Sequence, residues 1–284
     1  MPSTLIQTKI LVPPVRPTWV KRPSLVSQLN NGLDRKLLLV SAPAGYGKST
    51  LLSEWVHQVP VPAAWLTLES ADNSPSRFWS YFVSALRTLP AFRELRPEES
   101  LLGLEGILPA ASPEESLTGL VDAIAQSPGE FILILDDLHL ITDSSIHKGL
   151  VFLLEHLPPS TQGMHLVVAS RMDPPWPLAR MRARAQTLEL RTRDLRFTPE
   201  EATLFLNQTM GLSLTANDIA QLDLRTEGWI AGLQIAALSM QKQDDIPAFL
   251  ERFSGSHRFI LDYLIEEVLA QQSPRMIEFL LKTS

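Results

Sequence analysis

A chain of 284 residues exceeds one average compact core, so a large domain with a smaller companion is expected. The absence of cysteine excludes disulfides, thiolate metal sites and cysteine nucleophiles, and a formal net charge of −6 argues against a surface given over to nucleic acid. The opening Met-Pro-Ser-Thr lacks the pattern of a secretion signal, and apolar runs such as residues 131–135 fall far short of the ~20 that span a bilayer, so a cytoplasmic protein without membrane contact is expected.

The first 25 residues hold five prolines and little periodicity, and are expected to run extended. Residues 23–33 suit a short helix, with Pro23 at its start and Gly32 near its end. An apolar strand over 36–41 then breaks on Ala-Pro-Ala-Gly-Tyr-Gly, and 48–58 carry apolar positions at 51, 52, 55 and 56, as an amphipathic helix does. Further strand-like runs cover 64–68, 131–135, 166–169 and 187–190, separated mostly by helical patterns at 75–89, 113–126 and 145–157. Strands without polar alternation, alternating with helices, predict a parallel sheet buried on both faces. Residues 90–112, rich in Pro, Glu and Ser, read as a surface excursion.

The pattern changes after Arg196. Thr198-Pro-Glu-Glu has the form of a capping box, and helical segments are expected over 199–209, 215–226, 228–241, 246–253 and 256–271. The expected division is an α/β nucleotide-binding domain over 1–196, with 1–35 as its lead-in, and an all-α domain over 197–272. Residues 273–284 open another amphipathic helix as the sequence stops, so a piece of a longer protein is expected.

Ala42, Pro43, Ala44, Gly45, Tyr46, Gly47, Lys48 and Ser49 match the phosphate loop G-x-x-x-x-G-K-[ST], with Ala in the first position and Thr50 following in the helix. Glycines let successive N–H groups converge on phosphate oxygens at the start of a helix. Lys48 is expected on the β- and γ-phosphates, and the Ser49 hydroxyl on magnesium. Residues 131–137, an apolar strand ending in Asp136 and Asp137, bring two carboxylates to the sheet's carboxyl edge. Asp136 is expected to hold the magnesium and Asp137 to position or deprotonate the attacking water. The pair also suits helix-capping aspartates, a reading that weakens beside a phosphate loop.

Arg171 ends a third strand. Spacing alone leaves it equally a sensor of the γ-phosphate or a surface arginine paired with Asp173. Residues 171–196 contain seven arginines and three acidic residues; without interleaved aromatics they suit a solvated or intramolecular charged face better than a nucleic-acid patch. His139 lies near enough to Asp137 to matter, although a structural role is favoured.

In this order the motifs resemble the core of STAND proteins, the signal-transduction ATPases with numerous domains, in their MalT-like, LuxR-type branch. The likeness runs through TKILVPP (8–14), SAPAGYGKSTLLSEW (41–55), LILDDLHLI (133–141), the stretch from Ser170 to residue 206 and TEGWIAGLQIAALSM (226–240). It implies a five-stranded parallel α/β domain, a helical domain and a winged-helix domain beginning at 273–284, with sensor and effector domains beyond. It implies ADP holding a resting monomer, ATP with Mg2+ favouring self-association, slow hydrolysis resetting the switch, and no direct nucleic-acid binding by this part. Arg171 matches the family's sensor arginine. Gly228-Trp229-Ile230 falls where relatives carry Gly-x-Pro, which assigns Trp229 and Ile230 to the nucleotide. The segment of Val20, Lys21 and Arg22 is similar to the one flanking adenine. The alternative is a dedicated transport or remodelling ATPase, for which no second-substrate site is visible.

Overall fold

The computed structural model describes residues 5–93, 113–157, 163–241, 246, 249–250, 253 and 258–267. Two compact units divide the chain: Met1–Val15, Arg22–Pro43 and Lys48–Asp194 form the first, and Arg16–Lys21, Ala44–Gly47 and Leu195–Ser284 the second.

In the first unit, β1 (Leu37–Ser41), β2 (Ala63–Thr67), β3 (Phe131–Asp136), β4 (Met164–Ser170) and β5 (Thr187–Arg191) form one parallel sheet in the order β2-β3-β4-β1-β5. Every residue of β1, β3 and β4 is buried, which is why the middles of these strands read as apolar runs without polar alternation. Helices α1 (Pro23–Asn31), α2 (Lys48–Val56), α3 (Pro75–Leu86), α4 (Pro113–Gln126), α5 (Ser144–His156) and α6 (Leu178–Ala183) accompany them. Register matches Leu39 to Val168 and Leu133 to Leu166, so the apolar side chains of adjacent strands stack in rows through the core.

Two departures from expectation bear on the core. A single turn of helix, Pro90–Arg93, opens the stretch read as a surface excursion, and Phe92 is buried edge-to-face on Phe131; residues 94–112 lie outside the described ones. The proline-rich lead-in is not extended throughout, because Gln7–Ile10 make a 3-10 turn that buries Lys9 and Ile10. Lys9 is ion-paired with the fully buried Asp72, stands 3.4 Å from Glu69 and sits 4.4 Å over the Tyr81 ring. Satisfying one buried charge requires importing another, and this pins the lead-in to the domain.

In the second unit the expected capping box is formed: Glu201 N–H donates to Thr198 Oγ1 (3.2 Å), and Thr198 N–H to Glu201 Oε2 (3.0 Å). Helix α7 (Pro199–Thr203) continues into a π turn over Leu204–Thr209, and a second box, Thr215 with Asp218, opens α8 (Ala216–Thr226). Then come α9 (Ile230–Met240) and α10 (Arg258–Glu267). Leu206, Leu222, Leu233 and Ala236 are fully buried at the centre of this unit's own core. The helix expected over 273–284 lies outside the described residues.

Candidate nucleotide site

The strand order decides what meets at the sheet's carboxyl edge. Because β4 separates β1 from β3, the ends of the three strands stand side by side: Ser41, Ser170 and Asp136. Ser41 lies opposite Ser170 in register, and Ala42 N–H donates to Ser170 O at 3.2 Å, so the phosphate loop leaves the sheet pinned to β4.

Lys48 opens α2 with its side chain folded back and buried. Its ammonium donates to Ala42 O (2.8 Å) and Pro43 O (3.0 Å). Burial pulls its pKa below the ordinary lysine value; Asp137 and Asp136 oppose this, while the Arg171 charge adds to it. Asp136 is buried at 4% exposure and its carboxyl is pushed up to about 6, by burial first and by the Asp137 charge second. The Ser49 hydroxyl, the Asp137 N–H at 3.0 Å and the Lys48 charge pull it back. Asp136, Asp137 and Arg171 are therefore within electrostatic reach of Lys48, and the Ser49 hydroxyl reaches Asp136.

Asp137 itself adopts the left-handed conformation (φ 59, ψ 38), which Asp tolerates better than most residues. A 3-10 turn, Leu138–Leu140, follows and turns His139 back. The His139 side chain is 5% exposed, with Nδ1 3.8 Å from Asp137 Oδ1, an electrostatic contact longer than a hydrogen bond.

The basic segment forms an intramolecular charged face. Arg191 holds Asp173 and Glu189, Arg182 donates to Glu189 at 2.6 Å, Arg180 pairs with Glu155, and Ser41 Oγ donates to Asp173 at 3.3 Å.

The middle of the loop, Ala44–Gly47, belongs to the second unit. Gly45 (φ 80) and Gly47 (φ 72) take conformations that glycine adopts freely. The Trp229 indole N–H donates to Ala44 O at 2.9 Å, and Ala231 N–H to Gly45 O at 3.0 Å. Ile230 Cδ1 lies 3.1 Å from where a Cβ on Gly47 would stand. Tyr46 hydrogen-bonds Arg196, and burial raises its phenol pKa. Trp229 and Ile230 thus lie against the phosphate loop. Val20 packs on the helical core, and Arg22 is buried at the start of α1. Pro43 is exposed and Thr50 half-buried in the first turn of α2. The partners contributed by Ala231 and Arg196 escape sequence reading: a backbone donor has no residue signature, and one arginine among many has no spacing.

A magnesium ion fits these donors. The Ser49 hydroxyl and a buried carboxylate short of counter-charge offer hard oxygens, and Mg2+ is usually held by one or two carboxylates together with phosphate oxygens and waters. Among the described residues no group of three or more His, Asp or Glu is placed to hold a metal ion by itself, and no helix is long and apolar enough to cross a membrane.

Residues 18–168 match the AAA ATPase domain family. The chain is 32% identical over 282 residues to the HTH-type transcriptional regulator MalT of Yersinia enterocolitica, covering 99% of this chain and 30% of that protein. It is also 32% identical over 272 residues to the serine/threonine-protein kinase PknK of Mycobacterium tuberculosis, covering 93% of this chain and 24% of that protein. It therefore spans less than a third of either relative. Among solved structures, a STAND protein with a tetratricopeptide repeat sensor from Pyrococcus horikoshii aligns at TM-score 0.54 and 17% identity, over 84% of this chain and 32% of that one. A Walker-type ATPase of Pyrococcus abyssi aligns at TM-score 0.57 and 16% identity, over 92% and 78%. At such identities those two likenesses establish the fold. With the matched residues taking in both the phosphate loop and the Asp136 strand, the chain belongs to the AAA ATPase domain family, as a P-loop NTPase core of the MalT-like kind.

Proposed function

We propose that this chain is the ATP- and ADP-binding core of a STAND-type molecular switch, in which slow hydrolysis resets a nucleotide-controlled state. One observation carries the reading: the Ser49 hydroxyl is hydrogen-bonded to the buried Asp136, and Lys48 stands within electrostatic reach of Asp136, Asp137 and Arg171. Lys48 meets the β- and γ-phosphates. Asp137, half exposed beside the buried Asp136, accepts the proton of the attacking water. Arg171 stabilises charge on the transferring phosphoryl group. Ser49 and Asp136 would hold a magnesium ion, which would supply charge neutralisation at the phosphates. The family resemblance assigns Trp229, Ile230, Val20 and Arg22 to the nucleotide.

The regulatory part of the reading draws support from the relatives. By name, one is a transcriptional regulator and another a protein kinase, so the same stretch accompanies two different outputs. A shared module that holds a state suits that distribution better than one dedicated to a single substrate. In the ATP state the chain self-associates.

Nucleotide released by denaturing the purified protein is expected to be ADP or ATP, and Asp137→Ala is expected to retain ATP while turnover falls about a hundredfold or more. Turnover at the wild-type rate in that variant removes Asp137 from its role. A protein that is empty and gains no stability from either nucleotide removes the reading altogether.

A further inference from the structure

We infer that Trp229 is a positioning residue for the phosphate loop, which it aims through the loop's carbonyl groups. The inference rests on the nucleotide-binding reading above and differs from a role against the base. The chain is built to deliver this indole. Glu227 (φ 50) and Gly228 (φ 69) take consecutive left-handed conformations after α8, which turns the backbone sharply. Gly228 O accepts from Phe197 N–H at 3.0 Å, and a Cβ on Gly228 would stand 2.6 Å from Phe197 O, so the turn is locked in place. Trp229 is seated beyond it. A Cβ on Gly232 would lie 2.5 Å from Trp229 Cε3, so the missing side chain makes room for the ring, and Tyr263 closes the other side edge-on at 5.5 Å.

The seated ring and the first turn of α9 then grip two successive carbonyls. Trp229 Nε1 holds Ala44 O at 2.9 Å, and Ala231 N–H holds Gly45 O at 3.0 Å. A trans peptide keeps its C=O and N–H on opposite sides. Fixing these carbonyls toward α9 therefore turns the N–H groups of Gly45 and Tyr46 away from it, in the left-handed arrangement that makes an anion-binding concavity. The grip is close enough to forbid a side chain at position 45: a Cβ there would meet Ala231 Cβ at 2.5 Å and Trp229 Nε1 at 2.6 Å. Preorientation of this kind strengthens phosphate binding and leaves contacts to the base untouched.

The experiment measures ADP and AMP affinity by calorimetry on the whole chain, since AMP keeps the base and ribose but lacks the β-phosphate. Trp229→Phe preserves the ring and deletes the donor; it is expected to weaken ADP about three- to tenfold, the worth of one neutral hydrogen bond, and AMP much less. Gly232→Ala, which leaves the indole intact but displaces it, is expected to give the same pattern. Lys48→Ala is the control for the site itself. If Lys48→Ala weakens ADP while Trp229→Phe and Gly232→Ala do not, the positioning role is overturned and the nucleotide site stands. Equal losses of ADP and AMP place Trp229 on the base and overturn it too, and unchanged ADP affinity in Lys48→Ala removes the site and the inference together.

Discussion

Asp136 shows how a single residue's position sets its chemistry. Placed at the end of a strand with no exposed residue, it is cut off from water and stands next to another carboxylate, so its ionised form is disfavoured. Ser49 offers one hydrogen bond against that cost. A divalent cation would offer more, because both the desolvated carboxylate and the hydroxyl oxygen are hard donors. Ser49→Ala is therefore expected to cut the contribution of Mg2+ to ATP affinity by about tenfold or more, since loss even of a group that merely orients a metal ligand costs about that much. Titrating ATP with and without EDTA measures that contribution; an unchanged magnesium effect sinks the assignment of Ser49. The residue types were legible here, since Gly-Lys-Ser and Asp-Asp are paired by chemistry. The hydrogen bond between them was not, because the two lie far apart in the chain and only folding puts hydroxyl on carboxylate.

At the scale of elements, the lead-in is the clearest departure. Proline content correctly predicted little regular helix, but composition could not show that Lys9 would be carried into the core. Asp72 is fully buried and accepts from Lys9 and from Arg77 Nε at 2.8 Å. Burial alone raises its pKa; the hydrogen bonds from Lys9 and Arg77 outweigh that, and the net shift is downward from 3.8. The sign follows from this. A carboxyl depressed in the folded state contributes stability that is present above its unfolded value near 3.8 and is lost as pH falls through the lower folded value. Asp72→Asn is expected to destabilise the protein at pH 7 by about 3 kcal/mol, since it removes the carboxylate paired with the buried Lys9. It is also expected to flatten the loss of stability below about pH 4. Urea unfolding at pH 7 and at pH 3 tests both, and parallel curves for variant and wild type would refute the account. The capping boxes at Thr198 and Thr215 lie at the other extreme: Thr, then an acidic residue three positions on, is a purely local device, and the first was read directly from sequence.

For the whole molecule, binding that favours the folded state appears as stability. Nucleotide at about a hundred times its Kd adds about 2.7 kcal/mol, which for a chain of this size is about 5–10 °C in Tm. ADP and Mg2+–ATP are both expected to produce such a shift, and sedimentation at matched concentrations is expected to show association with ATP and a monomer with ADP. Identical sedimentation in the two states counts against the switch. A shift with ATP but none with ADP counts against ADP as the holding ligand.

The α/β class, the alternation of strands and helices, the helical character after Arg196 and the residue types of the loop and the Asp136–Asp137 strand end were all legible in the sequence. All of these depend on periodicity or on short motifs, whose physics is local. Tertiary structure alone decided that β4 lies between β1 and β3, which sets Ser41, Ser170 and Asp136 side by side. It alone decided that Asp136 is buried enough to hold its proton to about 6, and that Trp229 lies on the carbonyl of Ala44. Strand order, desolvation and the partner of a backbone carbonyl each depend on residues far apart in the chain, and no local pattern encodes them.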